Sequence, residues 1–431
     1  MTLSEALQRA SQVDPTVPGS LALYDAEREA GKQERGTRLP SVALTVGYDQ
    51  ANTEATFPFG TAPKEDYHGS SAALAARQPL FRLDWFARGT RAQALDTQAE
   101  LGLQERKLQL LRRVADRYFG VLVAQDALAQ AEAEARAVRE SLEDTRKRYE
   151  VELVPGTDLK EAQARDDLAQ ARLLAARRAL ESARDALDEI TGNGRAELPP
   201  LAEQVSFPPL TPAGVEAWVA AAGQQSPRIA QARQALVVAE ANHRSRQSEA
   251  APSVDLVASI SHDDSTDYSL GQERDDRRIG LELNVPLYAG GINASRIREA
   301  EARRRIAEAE LKRLTLEIER ETRQLFRQVQ TGYDEARAFE KSLASALAAE
   351  RATRAGYDAG TRTITDVLDA KSRVVQARRD LNGTRYNLLL SLLQLKQTVG
   401  SLSERDFAEI DRLLAAQPPK APAENPVSSG K

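Results

Sequence analysis

Two long stretches without proline most constrain what this chain of 431 residues can fold into. Residues 85–150 and 290–356 keep an uninterrupted helical pattern, and no proline falls inside either range. At about 1.5 Å per residue, each stretch predicts a helix of roughly 100 Å. Such helices are far longer than a globular domain needs.

The composition agrees with long helices that pack closely through small residues. Aromatic residues make up only 5% of the chain, and Ala, Glu, Arg, Gln and Leu dominate. The 59 basic and 64 acidic residues are interspersed, so no basic surface for nucleic acid is expected. The longest apolar runs, such as LLLSLLQL at 388–395, are too short for a membrane-spanning helix of roughly 18 residues. A helical span is thereby excluded, whereas a β-barrel is not.

The residue types of catalysis and metal binding are sparse. The chain has no cysteine, which excludes disulfides, thiol catalysis and an acylated N-terminal cysteine. His68, His243 and His262 lack the spacing of a metal site, and no P-loop, G-x-S-x-G or H-E-x-x-H motif occurs. We expect no enzyme activity, no cofactor and no bound metal.

The chain opens on a helical pattern with a Thr2/Glu5 capping box and not on a signal peptide. Two interpretations fit this opening: a cytoplasmic protein, or a mature chain whose signal peptide has been removed. The repeat and the strands described next favour the mature chain.

The same unit occurs twice along the chain. PSVALTVGYD at residue 40 matches PSVDLVASIS at residue 252, and YEVELVPGTDLKEA at 149 matches YDAGTRTITDVLDA at 357. We predict repeats over 1–208 and 209–401, followed by a partly disordered tail over 402–431. In the first repeat we expect an opening helix, strands near 39–50 and 70–80, and helices near 85–150 and 157–190. In the second we expect helices near 212–249, strands near 252–262 and 277–287, and helices near 290–356 and 362–398.

The predicted strands have one apolar and one polar face. Apolar side chains occupy every second position of 42–48 and of 279–287. Four such strands cannot bury the apolar face or close on themselves. They need either a sandwich within the chain, or a barrel shared among copies with the apolar face toward lipid. The very long helices and the polar inward residues Asp255, Arg278 and Glu282 favour the barrel.

Aromatic residues cluster near the ends of these strands. Phe81, Trp85, Phe86 and Tyr288 would suit a belt at the membrane interface. The alternative is that they only fill the junctions between strand and helix.

Charge gathers in TRTITDVLDA at 361–370. Asp366 and Asp369 are three residues apart and Arg362 precedes Asp366 by four, so all three share one helix face. Taken alone, this segment is most simply a solvated face with one intrahelical ion pair.

Several stretches together resemble the TolC family of bacterial outer-membrane channel-tunnels. They are TLSEALQRASQVDP, QPLF, VPLYAGG, GTRTITDVLDA and RYNLLLSLLQLKQTVGSLSERD, and they cover nearly the whole chain in order. The resemblance implies an α+β membrane protein that assembles as a homotrimer. Each chain would give four strands to one twelve-stranded β-barrel in outer-membrane lipid, and a long α-helical coiled-coil tunnel would continue it through the periplasm.

The resemblance also implies a function and partners. Such channels export small molecules or proteins as the exit duct of an efflux pump or a type I secretion system. The implied partners are a periplasmic adaptor and an inner-membrane pump of the ABC, RND or MFS type. The alternative is a non-channel periplasmic coiled-coil scaffold or adaptor, which would share the long helices but would not need the apolar strands.

The resemblance places a gate at the turns between long and short helices, at the periplasmic entrance. Tyr357 would bind Asp158, and Arg362 would bind Thr157 and Asp158, between neighbouring hairpins. The resemblance also implies selectivity and cation-binding rings formed by Asp366 and Asp369, because clustered negative carboxylates attract cations.

The first turn departs from the family pattern. It carries Glu152 where the family favours glycine, and Pro155-Gly156 where the family usually has neither. Because this tip is the expected docking site of the adaptor, the identity of the partner pump does not follow from the resemblance.

Overall fold

The computed structural model describes residues 1–54, 56–61, 65–202, 205, 207, 209–265 and 273–415. The chain forms two compact units. One combines Met1–Ala22, Gly102–Ile229 and the segment from Leu314 onward, and the other combines Leu23–Leu101 with Ala230–Arg313. Within the described ranges, no helix has both the length and the apolar character required to cross a membrane.

The described residues form nine helices and six strands. The helices are α1 (Leu3–Val13), α2 (Thr16–Gly36), α3 (Trp85–Glu150), α4 (Gly156–Thr191), α5 (Val215–Gln225), α6 (Pro227–Ser248), α7 (Ile292–Asp358), α8 (Ile364–Val399) and α9 (Glu404–Ala415). The strands are β1 (Ser41–Thr53), β2 (Thr56–Phe57), β3 (Gly60–Thr61), β4 (Glu65–Phe81), β5 (Ser253–Ser265) and β6 (Glu273–Asn284).

β1, β4, β5 and β6 form one antiparallel sheet in that order, within the second unit. Val42, Ala76, Ala258 and Ile279 pair across it in one row. Since strand side chains alternate between faces, the apolar positions of all four strands share one face. That face is open, and Leu281 on it is 70% exposed.

β4 is longer than the strand predicted over 70–80. Its pairing with β1 continues from Arg77 opposite Ser41 to Glu65 opposite Thr53. The hydrogen-bonded hairpin therefore extends well beyond the stretch in which the alternation of side chains is readable.

The first unit has a helical core. Tyr118 and Phe119 of α3 and Tyr386 of α8 are fully buried, and Phe119 lies 5.8 Å from each of the other two rings between ring centroids. Phe407 of α9 is buried in the same cluster. The tail predicted from residue 402 thus begins with a packed helix, and residues 416–431 lie outside the described part of the chain.

Two ion pairs join the C-cap of α1 and the first turn of α6 to the long helices α3 and α7. Asp14, the buried C-cap of α1, accepts a hydrogen bond from Arg113 of α3. Arg228, which lies just after the C-cap of α5, donates to Glu317 of α7 at 3.1 Å. At the break between α1 and α2 the short-helix side supplies the acid, Asp14, and the long helix supplies the arginine. At the break between α5 and α6 the short-helix side supplies the arginine, Arg228, and the long helix supplies the acid, so the two charges are exchanged.

Candidate gate at the helical turns

The α3–α4 and α7–α8 turns share one backbone geometry. Each contains a residue with positive φ, Glu152 at 61° and Gly360 at 73°. In both turns the amide of that residue donates to the carbonyl three residues earlier, and the next amide donates to the carbonyl five residues earlier, at 2.8–2.9 Å. This pair of bonds is the Schellman motif, which satisfies the last carbonyls of a helix.

Asp366 holds the first turn of α8 together. It forms a capping box with Thr363: the Asp366 amide donates to Thr363 Oγ1 at 3.2 Å, and the Thr363 amide donates to Asp366 Oδ2 at 2.9 Å. The Thr363 hydroxyl donates to the same carboxylate oxygen at 2.8 Å. The backbone hydrogen bond from Thr363, its hydroxyl and the nearby Arg362 guanidinium lower the pKa of Asp366. The carboxylate therefore has a structural role within its own helix.

α4 begins without an equivalent cap. Its N-cap is Pro155, which makes no side-chain capping bond. Thr157 donates to Asp158 Oδ1 at 3.2 Å, and both residues are exposed. A carboxylate in the first turn is favoured by the helix dipole, so Asp158 is compatible with its position without being fixed there.

Asp158 and Asp369 meet at one cavity. It lies among α3, α4 and α8, has a volume of about 420 Å³, and is lined by both carboxylates. Two intrahelical ion pairs on its wall are Arg148–Asp144 at 2.9 Å and Arg165–Glu161 at 2.6 Å. Both arginines are thus paired with acids of their own helices, and Asp158 and Asp369 add further negative charge to the cavity.

The predicted gate network does not form within one chain. Among the residues that the structure describes, Tyr357 makes no hydrogen bond to Asp158, and Arg362 makes none to Thr157 or Asp158. Tyr357 is 43% exposed. The network was expected between neighbouring hairpins, so it stays a prediction about an assembly of several chains.

Two residues at the second turn were not singled out from the sequence. Thr363 is the partner of Asp366, and the signal for it is the Thr-x-x-Asp spacing before an apolar run. Gly356 gives room to Arg362, because a Cβ at position 356 would lie 2.8 Å from Arg362 Cγ. Nothing in the sequence pattern indicates that second contact.

Known proteins resemble this chain over nearly its whole length. A family model described as outer membrane efflux protein matches residues 6–193 and 218–401. The chain belongs to the outer membrane efflux protein family. It is 33% identical to outer membrane protein TolC of Vibrio cholerae over 95% of this chain and 93% of that protein. It is 29% identical to TolC of Escherichia coli, over 99% and 90%.

Another relative and a solved structure extend this result. Alkaline protease secretion protein AprF of Pseudomonas aeruginosa is 28% identical over 94% of this chain and 85% of that protein. The crystal structure of the outer membrane protein VceC from Vibrio cholerae has a TM-score of 0.75 at 19% identity, and the match covers 92% of this chain and 96% of that chain. The structural likeness confirms the predicted fold of the single chain.

Family membership confirms three sequence-based predictions: the TolC-family resemblance, the outer-membrane location, and the function of an efflux or secretion channel. It supports the channel and not the periplasmic scaffold. Members of this family are transport proteins of the outer membrane.

The four aromatic residues near the strand ends of this outer membrane efflux protein divide into two groups by exposure. Phe81, Phe86 and Tyr288 are exposed, as a membrane-interface belt requires. Trp85 is half-buried, and Arg38 lies over its ring at 5.9 Å and donates to its carbonyl. The junction-filling alternative thus describes Trp85 better than the other three, and the belt itself stays a prediction.

The histidines pair locally. His68 Nδ1 lies 3.0 Å from the Tyr48 hydroxyl, and His262 Nδ1 lies 2.9 Å from Asp275. In the described portion of the chain, no group of three or more acidic or histidine side chains is arranged to hold a metal ion.

Proposed function

We propose that this outer membrane efflux protein works as a homotrimeric exit duct. The sheets of three copies close into one barrel, the helices continue it as a tunnel, and the tunnel is gated at the α3–α4 and α7–α8 turns. A periplasmic adaptor and an inner-membrane pump deliver the substrate to this gate.

The observation that carries the proposal is the course of the apolar band across the sheet. Val42 and Ile279 lie in one row across the sheet. From this row, the apolar positions of β1 run along the strand toward Tyr48. On that same side of the row, β6 carries Arg277 and Asp275 instead. The apolar positions of β6 extend in the other direction along the sheet. A lipid-facing band of constant height must therefore cross the strands obliquely, as it does in a barrel of tilted strands.

The open edges of the sheet support an assembly of several copies. β1 and β6 each pair on one side only in the described sheet. Unpaired edges beside an exposed apolar face are unstable in water. Pairing of β6 in one copy with β1 in the next removes every edge, and three copies give twelve strands, a size at which a barrel leaves room for a channel.

The gate follows from symmetry. Three copies convert Asp366 and Asp369 into two acidic rings with six carboxylates. Like charges in a narrow entrance raise the local concentration of cations and favour block by multivalent ones. Tyr357 and Arg362 of one hairpin bind Asp158 and Thr157 of the neighbouring hairpin, and these bonds must break before the entrance widens.

The cargo of this duct includes proteins, small molecules or both. AprF is named for alkaline protease secretion and TolC is named only as an outer membrane protein. Proteins and small molecules are both suitable cargo for a duct of this family. The pump is of the ABC, RND or MFS type, and the adaptor docks at the turns.

Single-channel conductance in a planar bilayer tests the duct and its gate. We expect small, stable openings that a trivalent cation blocks from the side of the helices alone. Asp366→Asn with Asp369→Asn should abolish the block. Arg362→Ser should enlarge the openings, whereas Arg165→Ser should not, because Arg165 pairs with Glu161 four residues away on α4.

The outcomes separate duct from scaffold. A protein that is monomeric and soluble without detergent, or that inserts but conducts neither as wild type nor as Arg362→Ser, contradicts the duct. Conductance with equal effects of Arg362→Ser and Arg165→Ser leaves the duct in place and refutes the gate network.

A further inference from the structure

One carboxylate on the polar face of the sheet is buried. Asp255 of β5 is 3% exposed, and its cross-strand neighbour on β6 is Glu282. Carboxylates directly opposite each other on one face of a sheet repel. An ionised group without water around it also needs charged or hydrogen-bonding partners.

Arg77 of β4 contacts both acids. Its Nη1 donates to Asp255 Oδ2 at 2.8 Å, and its Nη2 donates to Glu282 Oε2 at 2.8 Å. A second arginine, Arg82, lies 3.3 Å from Asp255. The planar guanidinium can hold two carboxylates at once, which the single ammonium of lysine cannot do with the same geometry. This four-residue group, the Arg77 cluster, joins three strands.

The Arg77 cluster is balanced in charge and remains accessible. Two arginines and two acids give a formal charge of zero. The side chains of Arg77 and Glu282 are 46% and 48% exposed, whereas that of Asp255 is 4% exposed. Ions near the polar face are therefore close to two carboxylates whose charges are fully balanced only while Arg77 is present beside Arg82.

We propose that Arg77 is a selectivity-determining residue of the pore. This inference rests on the proposed function, in which the polar face of the sheet lines a water-filled lumen. Together with Arg82, Arg77 cancels the field of Asp255 and Glu282 at the end of the sheet where β4 leads into α3. In a trimer, loss of Arg77 leaves three uncancelled negative charges around one level of the lumen, and the pore becomes more selective for cations.

The test is the reversal potential of the purified trimer in a planar bilayer across a KCl gradient at low salt. We expect Arg77→Gln to raise the ratio of potassium to chloride permeability by roughly two- to five-fold, as for a nearby charge in a partly screened aqueous lumen. Glu282→Gln should lower the ratio. The double variant should return it to the wild-type value, and all shifts should shrink in about 1 M salt.

Arg277→Gln is the matched control. Arg277 lies on β6 like Glu282, but it pairs with Ile260 in the row of the apolar face. The same charge is removed from the side that does not line the lumen, so the permeability ratio should not change. Arg77→Lys keeps the positive charge but loses the guanidinium that bonds both acids. The permeability ratio should therefore stay near wild type, while the thermal stability of the trimer should fall.

Each outcome decides the inference. If Arg77→Gln does not insert, the shift with Glu282→Gln and its absence with Arg277→Gln still test it. An unchanged ratio in Glu282→Gln, or an equal shift in Arg277→Gln, overturns the selectivity role and leaves Arg77 as a staple between strands. A wild-type trimer that never conducts refutes the proposed function instead.

Discussion

The two helical turns reach the same backbone conformation with different residues. After α3 the left-handed position is occupied by Glu152, and after α7 it is occupied by Gly360. The N-cap of α4 is Pro155, which makes no side-chain capping bond, whereas α8 begins with the Thr363 capping box. A side chain with a Cβ is disfavoured in the left-handed region and glycine is not. The second turn is thus stabilised on both sides of its bend, and the first carries strain without a cap.

This difference predicts which of the two turns of the proposed gate is locally softer. The α3–α4 turn should open locally at lower free energy than the α7–α8 turn, because strain and a missing cap act in the same direction. If the entrance widens through local rearrangement, the first turn should yield before the second. Hydrogen exchange of the amides in each turn measures this ranking directly.

Gly360→Val should have the largest effect. A β-branched side chain at φ of 73° is strained, and the cost is about 2 kcal/mol. We expect amides of the α7–α8 turn to exchange hydrogen faster, by the factor in the opening equilibrium that this free-energy cost corresponds to. Glu152→Val is the matched variant: its position already holds a Cβ in the left-handed region, so the loss should be clearly smaller. Equal losses would show that the two turns do not differ in strain.

Thr363→Ala should rank second. It removes the N-cap hydroxyl from α8, and loss of such a cap costs about 1 kcal/mol. The expected readout is faster hydrogen exchange over the first turn of α8. Thr157→Ala is the control, because the Thr157 hydroxyl bonds the neighbouring Asp158 side chain and caps nothing. A comparable loss in the control would remove the capping box from the explanation.

Glu152→Gly should stabilise the first turn by about 0.5 kcal/mol. Relief of left-handed strain contributes about 1 kcal/mol, and the greater freedom of glycine in the unfolded chain offsets part of it. Amides after α3 should then exchange more slowly, nearer to those after α7. Slower exchange would narrow the difference between the turns, and unchanged or faster exchange would assign the softness to the missing cap alone.

Much of the fold was readable from the sequence because its signals are long. The proline-free stretches predict α3 and α7, and the alternation at Val42 and Ile279 predicts which face of the sheet is apolar. The family resemblance is confirmed, since it rests on several stretches in order. The duplication stays a prediction. The reversed ion pairs, Asp14 with Arg113 and Arg228 with Glu317, support it, because they lie at matching breaks between short helices.

The candidate site was less readable for two physical reasons. The predicted hydrogen bonds of the site join neighbouring hairpins. The structure of one chain therefore does not test the bond between Tyr357 and Asp158. Local geometry was only partly indicated: glutamate itself does not predict a left-handed residue, and the hint is that Glu152 stands where the family favours glycine. The φ of 61° and the backbone bonds that match those of Gly360 establish the conformation. The spacing predicts that Arg362 and Asp366 share one helix face, which is wrong because Arg362 precedes Thr363, the N-cap of α8. The closest partner of Asp366 is Thr363.

The smallest expected effect is the pH dependence of the capped turn. Hydrogen bonds from Thr363 lower the pKa of Asp366 in the folded chain relative to the unfolded chain. Such a group stabilises the fold fully above its unfolded pKa, and the contribution is lost as the pH falls through the lower, folded value. Protection of the first turn of α8 should therefore decline below about pH 4. In Asp366→Asn this decline should vanish, since an amide has no proton to bind in that range. A decline that persists in Asp366→Asn would assign the titration to another carboxylate and leave the α8 cap as a neutral hydrogen-bonded structure.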